Sequence, residues 1–331
     1  DVAIRYALPV MASSAFCCYL AVRWATFQFN SEAVLFRESE KWDVRLWLRQ
    51  LIKNKPLLPT GGMAIFVAIS ILMLRYAANV TATAPQNWQE FVTDNSIALI
   101  LTVGLPAILV AWIFTKSPLG SLKLKKPDGL VMMSAVILPF LLHPVIAWMG
   151  VGIEQLYPIS PNIKAATAPL QQMMVEAPGW AMLLAIAVVP GIFEELAFRG
   201  IILTGLQKNT KASSAIFVSA AFFGITHGIL QQSINAFAIG LLLGYIAVRA
   251  GSLLPTMVMH ILHNGIIYFV SIDVVHQQLD GWMTEYQGQP VYSPVVAGVS
   301  GLLAVALLFV IHAKTRPVRS ELPSEQTVNV E

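Results

Sequence analysis

The sequence predicts an all-α, polytopic membrane helix bundle, and three observations predict it. Hydrophobic residues fill 56% of the 331 positions and charged residues only 12%, against about 25% charged in a soluble domain. The apolar residues gather into runs long enough to cross a bilayer, for which about 20 residues suffice. The basic residues crowd into alternate loops, as they do in membrane proteins. A formal net charge of +3 is too small to point to nucleic acid.

Nine runs qualify as spans, at about 7–29, 57–77, 96–115, 129–150, 179–206, 213–229, 233–249, 253–272 and 294–313. The first is interrupted by Arg23 and the seventh is short. Cys17 and Cys18 lie side by side in the first run and read as packing residues, since two neighbours alone form neither a disulfide framework nor a zinc site. The segment 31–55 mixes charges with apolar residues at helical spacing. It reads either as an amphipathic helix on the membrane surface or as a solvated helical linker. The stretch 151–178 contains Pro158, Pro161, Pro169 and Pro178 and reads as a loop on the face opposite the basic one. The polar residues after Lys314 read as a disordered tail.

With these spans, 18 of the 21 Lys and Arg residues fall on one side; only Arg5, Arg75 and Lys164 fall on the other. The positive-inside rule makes the rich side cytoplasmic, so the chain starts outside and ends inside. It opens on Asp1 with no basic leader or cleavage site, and reads as a piece of something longer.

Within the fifth run stands an adjacent acid pair, Glu194-Glu195, with Arg199 four residues after the second. A charge at mid-bilayer costs about 2.5–3.5 kcal/mol even on mild insertion scales. Arg199 shares a helical face with Glu195 and neutralises it. Glu194 points about 100° away and needs another partner. The next runs supply candidates in Phe223-x-x-x-His227 and His260-x-x-x-Asn264. A carboxylate and an imidazole can deprotonate a water between them. An imidazole and a carboxamide at i and i+4 can donate to an oxyanion. Those are the parts of an amide hydrolase without a Ser or Cys nucleophile.

A metal site is the competing reading. Glu194, His227 and His260 would then be the ligands, one oxygen and two nitrogens, with zinc as the cofactor. The metal-free mechanism is preferred, and spacing alone does not separate the two. Phe223 reads as a packing neighbour of the site, and His263 as support. His143, before Pro144, reads as a kink neighbour, and His276 and His312 as interfacial and incidental. Gly240-x-x-x-Gly244 reads as a helix-packing motif.

Taken in order, Glu194-Glu195-x-x-x-Arg199, Phe223-x-x-x-His227 and His260-x-x-x-Asn264 resemble the signatures of the CPBP intramembrane proteases (CAAX protease and bacteriocin-processing, also called Abi). The resemblance implies that Glu194 activates water with His227, that His260 and Asn264 form the oxyanion site, and that Glu195 and Arg199 support them. It implies an eight-helix core over 51–313, with the motifs within 179–272, and a membrane-associated or CAAX-like peptide as substrate. The first span is then surplus. The stretch 27–40 resembles the end of export-type ABC permeases, which implies that residues 1–50 belong to an upstream permease region with an ABC ATPase as partner. A bacterial cytoplasmic membrane is the expected location. Two other readings stay open: a transporter component whose polar cluster forms a path, and a non-catalytic scaffold that binds a membrane peptide, as in bacteriocin immunity.

Overall fold

The computed structural model of the chain describes residues 2–29, 53–271, 279–286 and 289–317. The helices are α1 (Val2–Phe29), α2 (Gly61–Thr81), α3 (Trp88–Phe114), the short α4 (Pro118–Ser121), α5 (Gly129–Leu156), α6 (Pro161–Glu176), α7 (Gly179–Gln207), α8 (Ala212–Ile225), α9 (Leu230–Ala250), α10 (Leu254–Val270) and α11 (Pro294–Lys314). Six of them, α2, α3, α5, α7, α9 and α11, are long and apolar enough to cross a membrane; the apolar stretches in α1, α8 and α10 are shorter. All nine expected runs therefore fall on helices, and the fold is a nearly all-α polytopic bundle.

Local chemistry fixes where these helices start. Thr60 accepts from the Met63 amide, so α2 begins four residues later than the apolar run at 57. At α3, Glu90 N donates to Asn87 Oδ1 (2.9 Å), and Gln86 N donates to Glu90 Oε2 (2.8 Å). These reciprocal bonds pull the helix start back to Trp88, into sequence too polar to be read as membrane. Asp128 and Ser293 cap α5 and α11 in the same way.

Two expectations need correction here. The stretch 151–178 is not a plain loop: α5 runs on to Leu156, and Ser160 then caps α6, with Pro161 at its first turn. Proline at that position gives up an amide that had no partner. The second concerns 213–229, where the helix stops at Ile225. Gly228, with φ 74°, turns the chain out of the helix before α9. The fold also contains a two-stranded antiparallel hairpin, β1 (Met283–Tyr286) and β2 (Gln289–Tyr292), with Met283 opposite Tyr292. It is pinned to α5, where Trp148 Nε1 donates to Tyr292 O (2.8 Å) and His143 Nδ1 shares a hydrogen bond with the Tyr292 hydroxyl (3.1 Å). His143 is thus an anchor for the hairpin rather than merely a neighbour of a kink. The segment 31–55 lies almost wholly outside the described residues, as do 30–40, His276 and 318–331.

Helix α7 sits at the centre. Its membrane window is 67% buried inside the protein, against 11% for α11 and 22% for α2. Small residues make that possible. A Cβ added at Gly205 would stand 2.5 Å from Thr60 O and 2.8 Å from Ala64 Cβ; one at Gly191 would meet Ile261 Cγ1 at 2.5 Å. Without a hydrophobic force between helices in lipid, such close approach is what holds them together. Gly240 and Gly244 bring α9 onto Ala220, Phe223 and Ile216 of α8, the packing role expected of them. Helix α1 touches this core through Phe16, edge-on to Phe217 and Phe222 at 6.2 and 6.4 Å between centroids. Cys17 and Cys18 are free and exposed.

Candidate active site

The acid pair sits on a helix that is not uniformly α. In α7, π turns at Leu184–Val188 and Leu196–Ile202 flank the segment Val189–Glu195. Each widened turn changes the rotational phase of the residues after it, and such turns are frequent at functional sites. Glu195 and Arg199 are wholly buried and paired at 2.7 Å, Nη1 to Oε1. Arg199 Nη2 donates to Gly240 O (3.2 Å), and its guanidinium lies over the Phe223 ring, 4.5 Å from the centroid. An ion pair taken this far from water is tolerated only when further contacts support it. Phe223 supplies the main apolar one. Its ring also meets Phe198, His227 and His260 edge-on, so it packs the site together without a reactive group of its own.

His260 connects the two acids. Its Nδ1 lies 3.0 Å from Glu195 Oε1, and its Nε2 3.7 Å from Glu194 Oε2. Since Glu195 already receives Arg199, it is a carboxylate, and the proton of that short bond belongs on His260 Nδ1. Among the described residues, Glu194 is left with the longer approach. It is buried, though less so than Glu195.

His227 lies in the turn after α8, not on the helix that the sequence predicted for it. Its Nδ1 is 2.9 Å from Phe223 O. A carbonyl only accepts, so Nδ1 carries the proton and, in the neutral ring, Nε2 offers a lone pair. That is the tautomer a base requires. The His227 ring and that of His260 both stand edge-on to Phe223, at 4.9 and 5.7 Å between centroids. His227 is half-buried, beside exposed Gly228.

Asn264 is placed differently from the other predicted residues. Its Nδ2 donates to Ile186 O (2.9 Å), inside the first π turn of α7, rather than to any of the acids or imidazoles. One amide proton is thereby committed to the backbone of the acid-bearing helix. His263 is buried one turn from His260 on α10. His312, expected to be incidental, binds Arg249 Nη2 through Nδ1 at 2.6 Å and so ties α11 to α9.

Sequence reasoning missed several contributors. Asn95 Nδ2 donates to Ala185 O (3.1 Å), and Ser219 Oγ donates to Phe198 O (2.9 Å), each at a π turn of α7. A lone polar residue facing an apolar helix was the available signal. Lys123 is a further one. It sits outside the spans at φ 47°, donates from Nζ to Gln207 Oε1 (3.1 Å), and accepts at its carbonyl from Leu253 N (3.1 Å). It thus fastens the end of α7 to the start of α10. Burial, helped by nearby Lys125, lowers its ammonium to about 8.

Among the described residues, no group of three or more His, Cys, Asp or Glu is arranged to hold a metal ion. His260 Nδ1 is spent on Glu195, which leaves only its Nε2 for any other partner.

The fold and the centre together define an integral membrane protein with a buried Glu–Arg–His cluster. Residues 176–266, which carry every motif residue, match the family model described as type II CAAX prenyl endopeptidase Rce1-like. At family level this is a match to CAAX-type intramembrane endopeptidases, which are hydrolases. No curated protein and no solved structure matches the chain.

Proposed function

We propose that the chain is an intramembrane endopeptidase that hydrolyses a peptide bond of a membrane-associated, CAAX-like substrate. The observation that carries this reading is the inequality of the two acids. Glu195 Oε1 is held by both Arg199 and His260, whereas Glu194 meets His260 only at 3.7 Å. A water between Glu194 and His227 Nε2 would lose a proton to this pair as its oxygen attacks the scissile carbonyl carbon. The oxyanion would be met by the second Asn264 amide proton where the bound substrate brings it within reach, and by His260 Nε2 when that nitrogen carries a proton as well as Nδ1. Collapse of that intermediate breaks the C–N bond, and the captured proton passes to the leaving amine. Arg199 would hold Glu195, and Glu195 would orient His260. The lysine-rich end, with Lys123 and Gln207, would face the cytoplasm of a bacterial cell, and residues 1–50 would belong to an upstream permease region.

The test uses the purified protein in liposomes with prenylated and unprenylated CAAX peptides, with and without chelator. Wild type should cleave, and Glu194→Gln should lose about 10²–10⁴-fold in kcat, the usual worth of a general base, while staying folded. Full activity in Glu194→Gln would end the proposal; loss with chelator would return the metal reading.

A further inference from the structure

We propose that Asn95 is a positioning residue for Glu194, holding open the π turn that sets which way the acids face. This rests on the peptidase reading of the same site. In the turn Leu184–Val188 the Val189 amide donates to Leu184 O, five residues back instead of four. One residue is accommodated in excess of an unbroken α-helix, so the remainder of α7 is rotated by about 100° relative to its beginning. Without that turn, Glu194 would point where a neighbouring residue points now.

A widened turn in an apolar helix has no intrinsic advantage over α geometry. Here Pro190 has no amide to offer Ile186 O, four residues back, and the Val189 amide goes to Leu184 O, so Ala185 O and Ile186 O are left for side chains to satisfy. Two carboxamides do so here, from opposite neighbours. Asn95 on α3 bonds Ala185 O at 3.1 Å, and Asn264 on α10 bonds Ile186 O at 2.9 Å. Consecutive carbonyls are therefore gripped from two sides. The second π turn repeats the pattern, with Ser219 on Phe198 O. A half-buried amide in a span is costly unless it is bonded, and the Ala185 carbonyl gives Asn95 its bond. Asn95 lies outside residues 176–266 and outside every motif.

Asn95→Leu removes the donor at similar volume. If Asn95 positions Glu194, kcat should fall by about 10- to 100-fold with KM nearly unchanged, because misplacement by about 1 Å costs that much. Asn95→Asp can donate to Ala185 O only when protonated. Its kcat, relative to wild type, should recover as pH falls and decline as pH rises. Amide exchange at Val189 should quicken in Asn95→Leu. A variant that is less stable but keeps full kcat once folded overturns the proposal, leaving Asn95 a tie between helices. So does an Asn95→Asp profile parallel to wild type, or unchanged exchange at Val189. Failure of the peptidase reading is seen separately, as absence of cleavage by wild type; the exchange measurement still decides the role of Asn95 at the π turn.

Discussion

Helices α7 and α11 are both apolar and of membrane length, yet they are opposites in the fold. Their windows have mean hydropathies of 1.9 and 2.5, while the buried shares are 67% and 11%. The less hydrophobic helix is the buried one. Helix α11 turns Val295, Leu302 and Phe309 outward, each more than 70% exposed. Helix α7 carries glycines where other backbones approach, two π turns, and a charged pair that no lipid could accept. Apolarity therefore reports the membrane, whereas small residues and polar interruptions report the protein interior.

The sharpest way to break the contrast is at the charged pair. Arg199→Ala leaves Glu195 buried with half of its support, which should cost about 3–5 kcal/mol. It should also lower activity, because His260 loses a firmly ionised partner. Unfolding in mixed micelles, together with cleavage rates, measures both; a stable, active Arg199→Ala would mean that the pair is incidental.

Next comes backbone approach. Gly205→Ala drives a methyl group against Thr60 O, and overpacking of this kind costs about 1–3 kcal/mol. The same unfolding titration should show that loss, and no change would mean that α2 and α7 separate freely.

The smallest effect is expected on α11, where Leu302→Ala should shift stability by no more than about 0.5 kcal/mol. A larger loss there would reveal a partner covering that face.

Much of this was legible in the sequence. Hydropathy marked the spans, and the i, i+4 spacing of Glu195 and Arg199 marked their pairing. The π turns were hard to read, because Leu184–Val188 has the composition of any apolar helix; Pro190 marks a broken ladder there, but the carbonyl partners come from α3 and α10. His227 read as helical because the apolar run continues past it; one positive-φ glycine ended the helix instead. Asn264 read as a free donor because spacing shows its face but not the carbonyl waiting there. The hairpin at 283–292 was hidden by its shortness, and its anchors on α5 lie far away in sequence.

The contact between α2 and α7 also sets an order of assembly. Lys208 Nζ, just past α7, donates to Leu58 O at 2.8 Å, across 150 positions of chain, and Gly205 rests on the neighbouring Thr60. At about 5–20 residues per second, a ribosome needs roughly 7–30 s to make that interval. Helix α2 thus enters the bilayer well before the surface that fits it exists. Its Ala64 and Ala68 face must wait against lipid or the insertion machinery until α7 is delivered, charges included, into a place already framed by α2 and α3.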